Sequence, residues 1–327
     1  MDLLDRLGLE RPVVQAGMGG GVTGPELAGA VSAAGGLGTV AIMGPRAMAG
    51  ALRAARDRAS GRPVAANLLV PFANDAHVQA CIDGGAALVV FHGGLGTRWY
   101  GALRDAGVLV FATVGDAGQA RSAIAAGADG LVAQGVEAGG HLAGEQPLDV
   151  LLPHVLDVAA GRPVLAAGGV ADAVDVRRLL DRGATAVVAG TRFLLTDESQ
   201  AHPAYKDRVL RADRTLRTML FGLGWPMAHR VVPNAATDRW CARSELGPVW
   251  LRGLIRASTP FGRRLPERVQ SSVLAMQRPG LPLFIPALPQ RGMPDDSVDR
   301  CALYAGETAR RIADIVPAAE AVARLTP

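Results

Sequence analysis

Continuously apolar runs recur along the first 195 residues at a nearly constant interval: 12–16, 37–43, 63–70, 87–91, 109–114, 130–134, 163–167 and 186–194. Successive starts lie about 21 to 26 residues apart, with one longer gap of 33 after the sixth. Each run is apolar without alternation, which is the pattern of a parallel strand buried on both faces. Between them lie Ala- and Arg-rich stretches with helical spacing, such as 45–60, 115–126 and 172–182. Several end in glycine stops, as at Gly35-Gly36, Gly127 and Gly183. Eight such units predict an α/β chain closed as a (β/α)8 TIM barrel. After Leu195 the rhythm breaks, and helical stretches alternate with Gly224-Trp225-Pro226 and Thr259-Pro260-Phe261-Gly262. The expected organisation is a barrel over 1–197, a smaller, mostly helical cap over 198–280, and a C-terminal segment, 281–327, that returns to the barrel as one or two helices.

Composition narrows the class. The chain of 327 residues is 49% hydrophobic and 20% charged, which is globular. No apolar run reaches the ~20 residues of a membrane span, and the N-terminus lacks the basic and apolar regions of a signal peptide. Cys81, Cys241 and Cys301 are odd in number and far apart, the pattern of reduced thiols and not of a disulfide framework or metal site. A cytoplasmic location without membrane attachment is the expectation. The net charge of +4 is uneven: residues 198–280 hold 13 Arg and 1 Lys against 6 acids, a net of +8. That excess reads either as a solvated face of an arginine-rich chain or as a field that attracts an anionic substrate. The arginines are scattered and no nucleic-acid motif accompanies them, so no nucleic-acid partner is expected.

In a barrel of this kind the chemistry sits at the C-terminal ends of the strands. Those ends read Gln15-Ala16-Gly17-Met18, Asn67, His92-Gly93-Gly94, Gln134 with the loop to His141, Ala167-Gly168-Gly169-Val170, and Gly190-Thr191-Arg192. Gly168-Gly169, read as opening a helix, and Gly190-Thr191 together form the pattern of a barrel phosphate site. The sequence Gly19-Gly20-Gly21-Val22-Thr23-Gly24 matches a dinucleotide fingerprint, but the second strand ends Ala41-Ile42-Met43-Gly44 without the ribose-binding acid, so that reading fails. The most informative stretch is Gln134-Gly135-Val136-Glu137-Ala138-Gly139-Gly140-His141: a strand end, three glycines that permit close backbone approach, and a side chain that titrates near neutral pH. Spacing alone leaves His141 open between a catalytic and a surface role. His92 reads as structural, and His77, His154, His202 and His229 as surface or structural. No metal-ligand spacing is present.

These motifs resemble those of the nitronate monooxygenases, formerly 2-nitropropane dioxygenases. The resemblance runs through Gln15-Ala16-x-Met18, Asn67, the Glu-Ala-Gly-Gly-His element ending at His141, Ala167-Gly168-Gly169-Val170, Gly190-Thr191-Arg192-Phe193, Gly224-Trp225-Pro226 and Leu303-Tyr304-Ala305-Gly306. It implies FMN held by Ala16, Gly17, Met18, Asn67, Gln134, Gly139, Gly140, Gly168, Gly169, Gly190 and Thr191. It implies His141 as catalytic base or anion-positioning residue, and oxidation of a small nitronate-like anion by O2 to a carbonyl compound and nitrite. It leaves a homodimer open. Two departures bear on substrate size: Gly17 replaces the usual proline, which suggests a more mobile loop, and His92-Gly93-Gly94 replaces a His-x-Gly with an aromatic. The alternative is an FMN-dependent enoyl-thioester reductase that uses NAD(P)H. A flavin-binding carrier without turnover has no need of His141.

Overall fold

The structure, a computed structural model, describes residues 3–259 and 273–327. Its strands in chain order are β1 (Val13–Gln15), β2 (Gly38–Ala41), β3 (Val64–Leu69), β4 (Leu88–His92), β5 (Leu109–Val114), β6 (Gly130–Gln134), β7 (Gly140–His141), β8 (Val164–Ala167), β9 (Ala186–Ala189), β10 (Leu216–Thr218) and β11 (His229–Val231). Eight of them form one parallel sheet in the order β1-β9-β8-β6-β5-β4-β3-β2. The ends of that order meet through a parallel bridge between Val14 and Leu37. There the Leu37 N–H donates to the Val13 carbonyl and the Gln15 N–H to the Leu37 carbonyl, each at 2.9 Å. The eight-fold repeat therefore closes into the expected TIM barrel.

Burial explains the uninterrupted apolar runs. Val14, Ala65, Leu88, Val90, Leu109, Phe111, Val132, Leu165 and Ala186 cluster inside the barrel with Leu3 and Leu7 of the first helix, Leu3–Leu7. Their neighbours along each strand, such as Val13, Ala66, Val89, Val110 and Leu131, pack outward against the surrounding helices. Both faces of every strand are thus removed from water. The anticipated helices are present as Pro45–Arg58, Ala117–Ala125 and Ala173–Asp181.

The eighth run is shorter as a strand than its apolar length suggests. The strand stops at Ala189, and Thr191–Leu194 turn into a short helix that buries Phe193 and Leu194. An apolar run cannot separate a buried strand from a buried helical turn. A second correction concerns Gly168-Gly169. The helix that follows begins at Ala173, and its first turn is capped by Asp172, whose carboxylate accepts from the Val174 and Asp175 N–H groups at 3.0 and 3.1 Å. The glycines form the turn before it, both with positive φ, +114° and +71°.

The chain divides into two compact units. The first comprises residues 1–138, 143–200 and 314–327, and the second 139–142 and 201–313. In the first, Arg192 is buried and forks onto the Asp314 carboxylate at 2.8 Å and the Asp314 carbonyl at 2.7 Å. Helix Ala318–Leu325 packs nearby on the barrel helices. The second unit holds helices Pro203–Leu210, Ala235–Trp240 and Val249–Ala257, and a three-stranded antiparallel sheet, β10-β11-β7. Those strands are two or three residues long and carry too little alternation to be read from sequence.

Candidate active site

The C-terminal ends of the barrel strands are tied together by their own polar side chains. The Gln15 Oε1 accepts from the Thr39 N–H at 2.9 Å, and its amide nitrogen turns back to the Ala16 carbonyl. Asn67 Nδ2 donates to the Val90 carbonyl at 3.2 Å. Gln134 Oε1 accepts from the Ala143 N–H at 2.7 Å, and Glu137 receives the Leu148 N–H at 3.1 Å. The bonds of Gln15 to Thr39, Asn67 to Val90, Gln134 to Ala143 and Glu137 to Leu148 join separate segments along this side of the barrel.

The expected cofactor residues of the barrel gather on this rim. Ala16 donates its N–H to Ala189 at 2.9 Å, which sets it beside Gly190. Gln134 pairs in register with Ala167, immediately before Gly168 and Gly169. Gly17 lies against Asn67: a Cβ there would meet the Asn67 Cβ at 2.4 Å. With Asn67 and Thr39 in these positions, no side chain fits at Gly17. Met18 is held by Thr23, whose Oγ1 accepts from the Met18 N–H at 3.1 Å and donates to its carbonyl at 3.0 Å. A Cβ on Gly169 would meet nothing within 4 Å, and one on Gly190 would meet only the Ala16 Cβ at 3.7 Å. Open space beside backbone at the β8 and β9 ends is a cradle of the kind a phosphate and a flat ring require. The helix after Gly190 begins at Thr191 with no side-chain cap.

Gly139, Gly140 and His141 belong to the second unit. Gly139 has no room for a side chain, because the Ala305–Gly306 backbone lies 2.5 to 2.9 Å from where its Cβ would be. Gly140 pairs with Arg230 and has φ +77° with open space beside it. His141 is 9% exposed. It stands opposite His229 in the β7–β11 pair. Its ring stacks on Trp225 with centroids 3.7 Å apart and planes 17° from parallel. The His229 ring follows at 5.0 Å and the Tyr304 ring at 5.3 Å.

The electrostatics of this cluster are set by burial. The His229 ring is held at both nitrogens, with Nδ1 toward the Met227 carbonyl at 3.1 Å and Nε2 accepting from the Phe221 N–H at 3.3 Å. Burial lowers its pKa to about 4, against a small opposing pull from the Met227 carbonyl. Burial also drives the Tyr304 phenol well above its ordinary value, reinforced by Cys301. The Tyr304 Oη is buried and has no hydrogen-bond partner among the described residues. Beside His141 there is therefore a neutral imidazole, an indole face and a protonated phenol. The arrangement can pass a proton through an imidazole edge and donate a hydrogen bond to an anion.

The sequence pointed to His141, read His229 as surface or structural, and assigned no role to Trp225 or Tyr304. Trp225 and Tyr304 lay within stretches that carried the family resemblance, yet nothing in their spacing joins them to His141. Among the described residues no cluster of His, Cys, Asp or Glu could hold a metal ion, and no helix is long and apolar enough to cross a membrane.

A family model described as nitronate monooxygenase matches residues 2–81 and 73–327. A nitronate monooxygenase from Pseudomonas aeruginosa is 34% identical over 276 residues, spanning 70% of this chain and 78% of that protein. A hydroxy-methyl-oxo-octahydro-indene-carboxyl-CoA dehydrogenase from Mycobacterium tuberculosis is 36% identical over 244 residues, spanning 72% of this chain and 67% of that protein. Among solved structures, FabK from Thermotoga maritima superposes with TM-score 0.78 at 28% identity, covering 99% of this chain and 94% of that one. A nitroalkane oxidase from Streptomyces ansochromogenes gives TM-score 0.78 at 28% identity, covering 98% and 96%.

Proposed function

The chain belongs to the nitronate monooxygenase family and is an oxidoreductase, and from that premise we propose that it uses FMN to oxidise small nitronates and nitroalkanes with O2, giving a carbonyl compound and nitrite. The rim of the first unit supplies the residues that would hold the cofactor. Gly168, Gly169, Gly190 and Thr191 would take the phosphate, with Ala16, Gly17, Met18, Asn67 and Gln134 toward the ring. The open side-chain positions at Gly169 and Gly190 fit such a group. When bound, FMN supplies the redox chemistry, taking electrons from the substrate and passing them to O2.

The protein's own part is proton and charge management. His141 takes the proton α to a nitro group, or positions the anion when the substrate arrives as nitronate. The Tyr304 Oη donates to the anionic oxygen, and as a buried phenol it stays protonated. The excess of arginine over acid along residues 198–280 favours arrival of a negative substrate. The observation that carries this reading is the buried His141 ring beside the Tyr304 phenol, in the element most specific to the family.

A second reading, NAD(P)H-dependent reduction of an enoyl thioester, draws support from the carboxyl-CoA dehydrogenase relative and the FabK likeness. One experiment separates the two. Purified, FMN-loaded protein is given a nitronate in air, and separately NADH or NADPH with an enoyl thioester. Nitrite release matched by O2 uptake is the expected result. No nitrite, together with rapid nicotinamide oxidation that depends on the thioester, would overturn the proposal in favour of the second reading.

A further inference from the structure

The Gly224-Trp225-Pro226 element has no place in the proton and charge roles above, yet its indole makes the closest ring contact of His141. Its position is built. Gly224 has φ +82°, a left-handed turn that a side chain would strain. Its N–H donates to Ser258 Oγ at 2.8 Å. The Trp225 N–H reaches the Gly222 carbonyl at 2.9 Å and the Met227 N–H the Trp225 carbonyl at 2.8 Å. Two residues after Pro226, the Ala228 carbonyl accepts the Leu142 N–H at 2.9 Å, which fixes this turn to the strand that carries His141. Trp225 is itself 5% exposed. A near-parallel stack between two buried rings is thus set by backbone bonds on both sides.

We propose that Trp225 is a positioning residue that acts through His141: its indole face covers one face of the imidazole, fixes the ring plane, and favours the protonated form. The proposal rests on His141 acting as the base. The stack, with planes 17° apart, leaves the ring nitrogens at the edge and blocks rotation out of plane. An aromatic face attracts a cation through its quadrupole, which opposes the tendency of burial to keep an imidazole neutral. The two other rings packed near it, His229 and Tyr304, do neither. His229 on β11 is held neutral by burial, and Tyr304 is a protonated phenol. Of these three rings, Trp225 is the one whose face can assist proton uptake without competing for the proton.

The test compares Trp225→Leu, Trp225→Phe and His141→Asn with the parent. Turnover is measured on a neutral nitroalkane, which needs proton removal, and on the preformed nitronate, which does not. Trp225→Leu is expected to lower the nitroalkane-to-nitronate ratio of kcat by about tenfold, and Trp225→Phe to restore most of it. A second readout needs no turnover: the His141 ring proton signal, assigned by its loss in His141→Asn, is titrated by NMR. The indole should shift that signal upfield in the parent, with a smaller shift in Trp225→Phe and none in Trp225→Leu, where the titration midpoint also falls. If His141→Asn leaves the ratio unchanged, the base reading fails while the NMR shift still reports the stack. If His141→Asn lowers the ratio and Trp225→Leu does not, the positioning role is overturned. Should Trp225→Leu fail to fold, an unaltered His141 signal in Trp225→Phe overturns it equally.

Discussion

His229 faces His141 across adjacent antiparallel strands, with ring centroids 5.0 Å apart. Both nitrogens of His229 are committed to backbone partners, and burial lowers its pKa from the ordinary 6.5 to about 4. The unfolded chain takes up a proton near pH 6.5 that the folded chain refuses. The stability contributed by the neutral ring is therefore complete above about pH 6.5 and is lost as pH falls toward 4. Between pH 7 and 4.5 the loss should be roughly 2 to 3 kcal/mol. Urea unfolding at those two pH values should show that extra loss in the parent and a flatter dependence in His229→Gln, even if the variant starts less stable. Equal pH slopes in the two proteins would refute the assignment.

His141 carries the proton in the proposed function, so its removal should discriminate between substrates. His141→Asn is expected to keep bound FMN and to slow turnover of a neutral nitroalkane by ~10²-fold or more. The preformed nitronate, already deprotonated, should suffer less. Steady-state kinetics on both substrates decide the matter, and unchanged activity of the variant on the neutral form would end the base assignment.

What could be read from the chain divides along physical lines. The barrel was legible because eight buried parallel strands must be apolar on both faces, and that leaves a periodic trace such as 109–114 and 130–134, which match β5 and β6 residue for residue. The strand ends at Gln134 and Ala167 were legible because each apolar run stops there, whereas Asn67, read as a strand end, lies two residues inside β3. The surroundings of His141 were not legible. His229 reaches it through the pairing of β7 and β11, strands of two and three residues, and Trp225 and Tyr304 come from segments 84 and 163 residues further along the chain. The turn Gly168-Gly169 was legible as glycine, but the helix start lay with Asp172, because a carboxylate satisfies the first N–H groups better than a glycine can.

The cradle at the β9 end can be tested without disturbing the fold. Gly190 has an ordinary negative φ of −107°, and a Cβ there would touch only Ala16 at 3.7 Å. A Cβ at Gly190 therefore fits with ordinary van der Waals contact. Gly190→Val should leave thermal unfolding of the cofactor-free protein within a few degrees of the parent and weaken FMN binding by at least about tenfold, since the added methyls occupy the place proposed for the ligand. Fluorescence titration with FMN measures this directly. Undiminished FMN affinity in a well-folded variant would move the cofactor away from Gly190.

Tyr304 offers a test in which stability and activity should move apart. Its Oη is buried and without a hydrogen-bond partner among the described residues, and an unpaired buried hydroxyl costs the folded state about 1 to 3 kcal/mol. Phenylalanine keeps the ring against His141 and His229 and removes only that oxygen. Tyr304→Phe should therefore unfold at the same temperature as the parent or higher. If the hydroxyl donates to the substrate's anionic oxygen, the same change should lower kcat on preformed nitronate by about 10- to 100-fold. Because burial keeps the phenol protonated far above neutrality, that deficit should be constant from pH 6 to 9, unlike the pH-dependent deficit of a titrating base. Differential scanning calorimetry and a pH series of kcat decide it together: raised stability with undiminished turnover would make the hydroxyl a bystander, whereas raised stability with slowed turnover identifies a group kept unpaired in the free protein so that the substrate can pair with it.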